Sequence, residues 1–318
     1  MYKHSNIRVK KVSVFMWNKI RGLLARFLPV PARTFNIKMQ EMTDFYNREI
    51  IEIKNAMIVL QKTIDRLVET NKIIHATTEK TNVTTDKINV TAERTDRTAN
   101  EVLWAEIFNS TSSHERDWFN DKTLSPGRWA AGYQFLYVLY RVLNEIKPSN
   151  ILELGLGQST RMITQYVKNQ PDVVHQVVEH DEEWIRHFAL SLSLGEQTRV
   201  VTLPMETESF MDDSVPIYSG FVDVFAGKKF DLISVDGPYG FLSKVYARID
   251  VLKLLPGCLT DSFVIMVDDY NRQNAKNTVE LMKQKLDEHG ISYKTGLYHG
   301  IKSLCVIASE NLGFVCSM

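Results

Sequence analysis

Two patterns of apolar and polar positions divide the chain. From Ile50 to Val102 apolar residues return at heptad spacing, and from residue 150 short apolar runs alternate with stretches of helical period. In the first part the a positions are Ile50, Met57, Ile64, Asn71, Thr78, Thr85, Ala92 and Ala99, and the d positions are Ile53, Leu60, Leu67, Ile74, Thr81, Ile88, Thr95 and Val102. Sustained heptads free of Pro and Gly predict a coiled-coil helix, about 80 Å long at the helical rise. Its second half repeats internally as TTEKTNV, TTDKINV and TAERTDR. Threonine at core positions gives up burial, while a polar a residue such as Asn71 sets register and strand number. A parallel homo-oligomer is expected, a trimer in preference to a dimer. A solvated single helix is the alternative, because Thr is a poor helix former.

The second part predicts strands at 150–155, 174–179, 199–203, 230–235 and 262–267, with helical runs near 159–169, 182–193, 243–254 and 273–289. Such alternation implies a parallel sheet covered by helices on both faces. At the end, ISYKTG and SLCVIAS are two strands joined by a short loop that contains Tyr298, His299 and Gly300. The fold class is therefore α/β: a Rossmann-like doubly wound sheet with a terminal antiparallel hairpin, preceded by a long coiled-coil helix. The expected domains are 1–35, a basic amphipathic segment; 36–103, the oligomerisation helix; and 104–318, the α/β domain. An acidic insertion at 206–228, containing Pro216, is a natural place for a lid or acceptor loop.

Candidate chemistry sits at the predicted strand ends, where doubly wound sheets bind ligands. In ILELGLGQST an apolar run ending near Glu153 is followed by Gly155 and Gly157, then by Ser159 and Thr160 opening a helix. Glycines let the backbone approach a ligand, and the helix start offers free N–H groups. The next strand, VVHQVVEHD, ends in Glu179, beside the first glycine loop, where an acid can accept both ribose hydroxyls. His180 and Asp181 follow in the ligand-facing turn, with Asp181 suited to serve the next helix N-terminus. A dinucleotide fold wants a third glycine, and Thr160 stands there instead. An acid at Glu153 suits a ligand with a cationic amino-acid tail, which favours S-adenosylmethionine over a dinucleotide.

Together ELGLGQST, VVEHDEEW, FDLISVDGPYG and LLPGCLTDSFVIMVDDYNR resemble the strand-end motifs of class I S-adenosylmethionine-dependent methyltransferases. The last two resemble those of metal-assisted sugar and macrolide O-methyltransferases, and the likeness spans about residues 127–309. The resemblance implies that Glu153, Gly155 and Gly157 hold the methionine part and Glu179 the ribose. It brings Met205 and Glu206 towards the adenine, and puts Asp236, Asp268 and Asp269 at Mg²⁺-binding positions. At Gly237-Pro238-Tyr239 the chain departs from those members, and their catalytic histidine has no counterpart there.

Three carboxylates at neighbouring strand ends repel one another unless a cation or a shared proton offsets them. Mg²⁺ prefers oxygen ligands and could lower the pKa of a bound hydroxyl; the other reading has one aspartate capping the turn and its neighbour solvated. Asp236 and Asp268 are the expected catalytic acids, with Tyr239 near the acceptor and His299 as a candidate base. Arg272 either touches an acidic acceptor or pairs with Asp269, and Trp184 is expected to pack.

Charge is uneven although it sums to zero. Residues 1–33 carry +8 with no acid, so the remainder carries −8, which opposes a general nucleic-acid role for the α/β part. Basic residues interleaved with Trp17, Phe15, Leu23 and Phe27 suit a helix lying in an anionic membrane surface. Nucleic acid and a protein partner are the competing readings. Charges interrupt the apolar run, so neither a transmembrane span nor a signal peptide is expected. Cys258, Cys305 and Cys316 lack metal spacing and suit a reducing compartment. The expectation is a methyltransferase acting on a sugar or glycan hydroxyl, cytoplasmic and peripheral at the inner membrane face. A coiled-coil scaffold with an idle Rossmann-like domain is the alternative, and a NAD-dependent dehydrogenase a weaker one.

Overall fold

The computed structural model describes residues 19, 20, 22, 32–113, 118–127, 129–168 and 170–318. Most of the basic segment expected at 1–35 lies outside them. The chain divides into two units, 1–86 and 87–318. Helix α1, Ala32–Ser112, is continuous through both and passes the boundary expected at 103. Among the described residues no helix is long and apolar enough to cross a membrane.

The apolar heptad positions of α1 are exposed: Ile53, Met57, Leu60, Leu67 and Ile88 all exceed half exposure. The threonines behave in a way that composition alone conceals. Thr78 and Thr85 at a positions, and Thr81 and Thr95 at d positions, each donate the hydroxyl to the carbonyl four residues earlier. The polar atom is thereby satisfied inside the helix, and what Thr presents outward is largely its methyl. The last turns of α1 join the second unit, where Phe108 is buried and meets Phe119 and Tyr140 edge-on at ring separations of 6.3 Å each.

In that unit α2 (Tyr133–Arg141), extended by a π-helical turn at Val142–Ile146, leads into β1 (Asn150–Leu154). Then follow α3 (Gln158–Val167), β2 (Val174–Glu179), α4 (Glu182–Ser191) and β3 (Thr198–Thr202). A hairpin of β4 (Met205–Phe210) and β5 (Asp213–Tyr218) precedes α5 (Phe221–Phe225) and β6 (Phe230–Val235). The chain closes with α6 (Asp250–Leu254), β7 (Leu259–Val267), α7 (Gln273–Glu288), β8 (Tyr293–His299), β9 (Ser303–Ser309) and a 3₁₀ segment at Glu310–Cys316.

The main sheet has seven strands in the order β3-β2-β1-β6-β7-β9-β8, with only β9 and its two pairings antiparallel. This is the expected Rossmann-like sheet with its terminal hairpin. Alternation sorts the side chains into two cores. Ile151, Leu232, Val264 and Met266 pack on one face with Leu136, Leu139 and Met162, and Leu152, Ile233, Ile265 and Val267 pack on the other with Phe225, Val279 and Met282. Each such side chain contributes roughly 1.5–3 kcal/mol when removed from water.

Two expectations need correction. The insertion at 206–228 is the β4–β5 hairpin plus α5, not an open lid, because Val215 and Ile217 bury against Ile249. The helical run expected over 243–254 shrinks to α6. Asp213 Oδ2 takes the Val245 and Tyr246 N–H groups at 2.8 and 3.0 Å, and Arg248 adopts a left-handed φ of 59°, so helical bonding begins only beyond it.

Candidate active site

Strand order reverses between β1 and β6, and there the two strand-end loops meet. Asp236 N donates to Leu154 O at 2.9 Å and Gly155 N to Val178 O at 2.9 Å. Gly155 has φ 97°, and a Cβ on it would lie 3.3 Å from the Asp236 carbonyl carbon. The opposing Gly237 would drive a Cβ into the Tyr218 hydroxyl. Only glycines allow this approach without strain. Above it opens a cavity of about 760 Å³, within the usual range for a small-molecule site.

One end of the cavity is built mainly from backbone. Gly155, Leu156, Gly157, Gln158 and Ser159 line it with Glu179, His180, Asp181 and Trp184. Glu179 accepts the Leu156 N–H at 3.1 Å on Oε2, and those of His180 and Asp181 at 2.7 and 3.0 Å on Oε1. These bonds lock its carboxylate at the end of β2. Asp181 caps α4 by accepting the Trp184 N–H at 2.9 Å, and the Trp184 indole donates to Leu156 O at 2.7 Å. Two acids, with His180 Nδ1 2.8 Å from Glu179 Oε1 and no Lys or Arg among the lining residues of this end, suit a ligand without phosphates.

The other end is built from side chains that converge from distant positions. Asp236, Asp268 and Asp269 offer carboxylate oxygens within 4.8 Å of one another. Two like charges at that separation repel by about 3 kcal/mol at an effective dielectric near 20. The chain supplies the offset itself. Arg248 Nη2 lies 2.9 Å from both Asp236 Oδ1 and Asp269 Oδ2, while its Nη1 and Nε donate to Asp268 O at 2.9 Å and Pro238 O at 3.3 Å. Lys302 Nζ donates to Asp268 Oδ2 at 3.0 Å and stands 3.7 Å from Asp269 Oδ1; Arg272 adds a contact of 3.5 Å to Asp269. Three carboxylates are thus matched by three cations.

These partners set the protonation balance. Burial and the Asp268 charge push Asp236 up to about 7. Burial also pushes Asp269 up, but Arg248 and Lys302 outweigh it and hold Asp269 below its usual range. Burial pulls Lys302 down, but Asp268, Asp236 and Asp269 raise it overall.

Mg²⁺, which the sequence led one to expect on Asp236, Asp268 and Asp269, does not fit this arrangement. It needs near-octahedral oxygen ligands at about 2.0–2.1 Å, and the Arg248 nitrogen sits between two of the three carboxylates.

The remaining expected residues divide clearly. Gly155, Gly157, Ser159, Glu179, His180, Asp236, Tyr239 and Asp269 line the cavity. Asp268 lies beneath it, wholly buried, with Oδ1 unpartnered. Thr160 turns inward and accepts the Gly157 N–H at 2.9 Å, which caps α3. Glu153, expected on a cofactor, is not among the lining residues. It shares the sheet face of Ile151 and its buried Oε2 lies 3.1 Å from His175 Nε2, because side-chain alternation turns it under the sheet. Glu206 is exposed on β4 opposite Ile217 and lines nothing here. His299, the candidate base, is on β8 outside the lining, with Nδ1 3.2 Å from Ser303 Oγ.

Sequence reasoning missed Arg248, Lys302, Tyr218, Trp129 and Phe241, all of which line the cavity. Trp129, Tyr239 and Phe241 are 76%, 41% and 53% exposed and form a chain of ring contacts, Trp129 to Phe241 at 5.7 Å and Tyr239 to Phe241 at 5.3 Å. Tyr239 in turn meets His180 edge-on at 4.9 Å, which joins the two ends.

The chain is similar in fold to several solved structures. A putative caffeoyl-CoA O-methyltransferase from Staphylococcus aureus is 14% identical over 70% of this chain and 98% of its own, with a TM-score of 0.39. A putative O-methyltransferase from Klebsiella pneumoniae is 13% identical over 68% and 99%, with a TM-score of 0.43. The O-methyltransferase TomG from Streptomyces achromogenes, in complex with SAM, is 11% identical over 68% and 98%, with a TM-score of 0.42. No family model and no curated protein matches the chain.

Proposed function

We propose that the chain transfers a methyl group from S-adenosylmethionine to a hydroxyl of a sugar or glycan-like acceptor. The observation that carries this reading is the backbone-locked carboxylate of Glu179 beside the Gly155 turn, at the point where strand order reverses. There Oε2, which takes one backbone N–H, can accept a ribose hydroxyl, and the acidic, phosphate-averse surroundings favour a sulfonium ligand over a dinucleotide. When bound, S-adenosylmethionine supplies an activated methyl group. The protein's tasks are then alignment and one proton transfer.

Asp236 takes the acceptor proton in this reading. Its Oδ1 is held by Arg248, which leaves Oδ2 for a hydroxyl, and its side chain keeps 21% exposure. Its high pKa matches a base working near neutral pH. The exposed faces of Trp129, Tyr239 and Phe241 suit the apolar face of a sugar ring, and their burial by an acceptor would exclude water from the proton transfer.

Calorimetric titration of S-adenosylhomocysteine into the full chain tests the cofactor. Micromolar binding is expected, weakened about 100-fold or more in Glu179→Ala, since charge-assisted hydrogen bonds contribute about 1.5–3 kcal/mol each. Absence of binding to folded wild-type protein would turn the reading to a scaffold with an idle domain.

The same proposal gives α1 the role of a parallel trimer or dimer at an anionic, cytosolic membrane surface. Its exposed apolar heptad seam supports the oligomer, and the +8 charge of residues 1–33 supports the membrane. Light scattering should give two or three chain masses, and the protein should co-sediment with phosphatidylserine vesicles and not with neutral ones. A monomer that ignores both vesicle types would remove this part.

A further inference from the structure

We infer that Arg248, with Lys302, holds the place that a divalent cation takes in metal-assisted O-methyltransferases, so that the Asp236-Asp268-Asp269 cluster of this chain binds no metal. The inference deepens the methyl-transfer reading and rests on it for what the cluster does, although its test needs no acceptor.

Four observations lead to it. First, Arg248 is 5% exposed, and its guanidinium reaches four acceptors on two strand-end loops: Asp236 and the Pro238 carbonyl on one, the Asp268 carbonyl and Asp269 on the other. A buried guanidinium with this many partners is fixed, because no alternative position compensates its charge. Second, Lys302 covers Asp268 Oδ2, so each of the three carboxylates already has a cationic partner. Third, Arg248 and Asp269 both adopt φ 59°, a backbone state that non-glycine residues enter at a cost. Both ends of one ion pair are strained, which indicates that the surrounding fold over-determines that pair. Fourth, Lys302 is anchored from behind. Gln134 Nε2 donates to Lys302 O at 3.1 Å, and Glu101 Oε2 accepts the neighbouring Ile301 N–H at 3.0 Å.

The chemical consequence is a changed division of labour. A divalent ion would bind an acceptor hydroxyl directly and acidify it. Arg248 cannot do that, since a guanidinium offers no open coordination position and four of its five N–H donors are spent on the protein. It acts as a positioning residue: it keeps three acids together, presents Asp236 Oδ2 to the cavity, and leaves that carboxylate to receive the proton. A substrate hydroxyl is therefore handled by a hydrogen bond to Asp236 and not by coordination.

Mn²⁺ titration of the full wild-type chain, read by electron paramagnetic resonance, tests this with no variant required. Free Mn²⁺ signal should be undiminished by the protein up to about 1 mM, a range in which three-carboxylate oxygen sites normally load. Stoichiometric micromolar uptake by wild type would overturn the inference. Arg248→Ala is the second arm. It vacates the position between Asp236 and Asp269, and Mn²⁺ should then bind about 100-fold more tightly than to wild type, because the acids are left uncompensated. A merely structural arginine would not create a metal site when removed. Failure of a folded Arg248→Ala to gain Mn²⁺ would also overturn the inference. If that variant does not fold, the wild-type titration decides alone: uptake overturns the inference and an undiminished Mn²⁺ signal upholds it. Parallel titration of S-adenosylhomocysteine separates the two proposals: binding of both ligands by wild type sinks this inference alone, and binding of neither sinks the methyl-transfer reading alone.

Discussion

The two ends of the cavity are assembled in opposite ways. At the end lined by Gly155 and Glu179, contiguous backbone makes the site, and a carboxylate is fixed by N–H groups one, two and 23 residues away. At the end lined by Asp236 and Asp269, side chains from positions 236, 248, 268, 269 and 302 must all arrive together. The first end tolerates change elsewhere in the fold, because its geometry follows from one strand-turn-helix passage and its neighbouring strand. The second is a set of mutually dependent charges, in which removal of one partner leaves another buried and uncompensated.

Perturbation at each end should therefore have different reach. The largest effect belongs to Glu179→Ala, already described, which should remove cofactor affinity without touching the ion-pair cluster. Asp236→Asn should do the converse. We expect a loss of at least about 100-fold in the rate of S-adenosylhomocysteine formation with a hydroxyl acceptor, within the range for deletion of a general base, while cofactor affinity changes by less than about threefold. In wild type the rate should rise as pH passes through about 7, where Asp236 becomes a carboxylate. Equal damage to affinity and rate would mean that the two ends are not separable.

An effect on stability, outside both ends, lies under the seam between them. Asp250 accepts the Tyr218 N–H at 2.8 Å, and burial pushes its pKa up to about 7. The unfolded chain sheds this proton near its ordinary pKa of 3.8, whereas the native chain keeps it until about 7. Stability is thus lost as pH rises between those values, and the loss is complete above the upper one. Asp250→Asn retains an oxygen for Tyr218 and has no proton to lose. Denaturant melts should show it more stable than wild type at pH 8 by up to about 4 kcal/mol, and nearly equal to it at pH 4. A difference independent of pH would show that the carboxyl is not buried protonated.

The same contrast explains what could be read in the chain beforehand. ELGLGQST and VVEHD are local, and local strand-to-turn chemistry is carried by adjacent letters, so Gly155, Gly157 and Glu179 were legible. Side-chain alternation was legible too, yet it was not applied to Glu153, which turns under the sheet to His175. Asp236, Asp268 and Asp269 announced a charge problem, but not its solution. Arg248 sits in what reads as an ordinary helical stretch, and Lys302 in a hairpin loop; nothing in their neighbours marks either as the partner of acids 12 and 34 residues away. The loss of helix before Asp250 was hidden for a similar reason, since Asp213 lies more than 30 residues from the N–H groups it captures.

Helix α1 holds a last consequence. Glu101 accepts the Tyr133 N–H on one carboxylate oxygen at 2.8 Å and the Ile301 N–H on the other at 3.0 Å, and Trp104 donates its indole N–H to His299 O at 2.8 Å. The final turns of the helix are thus a keystone for the hairpin loop that carries Lys302. A protease or a recombination event that severs the chain immediately before Trp104 would deliver an α/β body whose sheet is intact and whose loop keeps the Trp104 bond but has lost both bonds to Glu101. A cut just before Lys87 would spare it. The boundary of this α/β body therefore runs through a helix, and any excised module must carry that stub of helix with it.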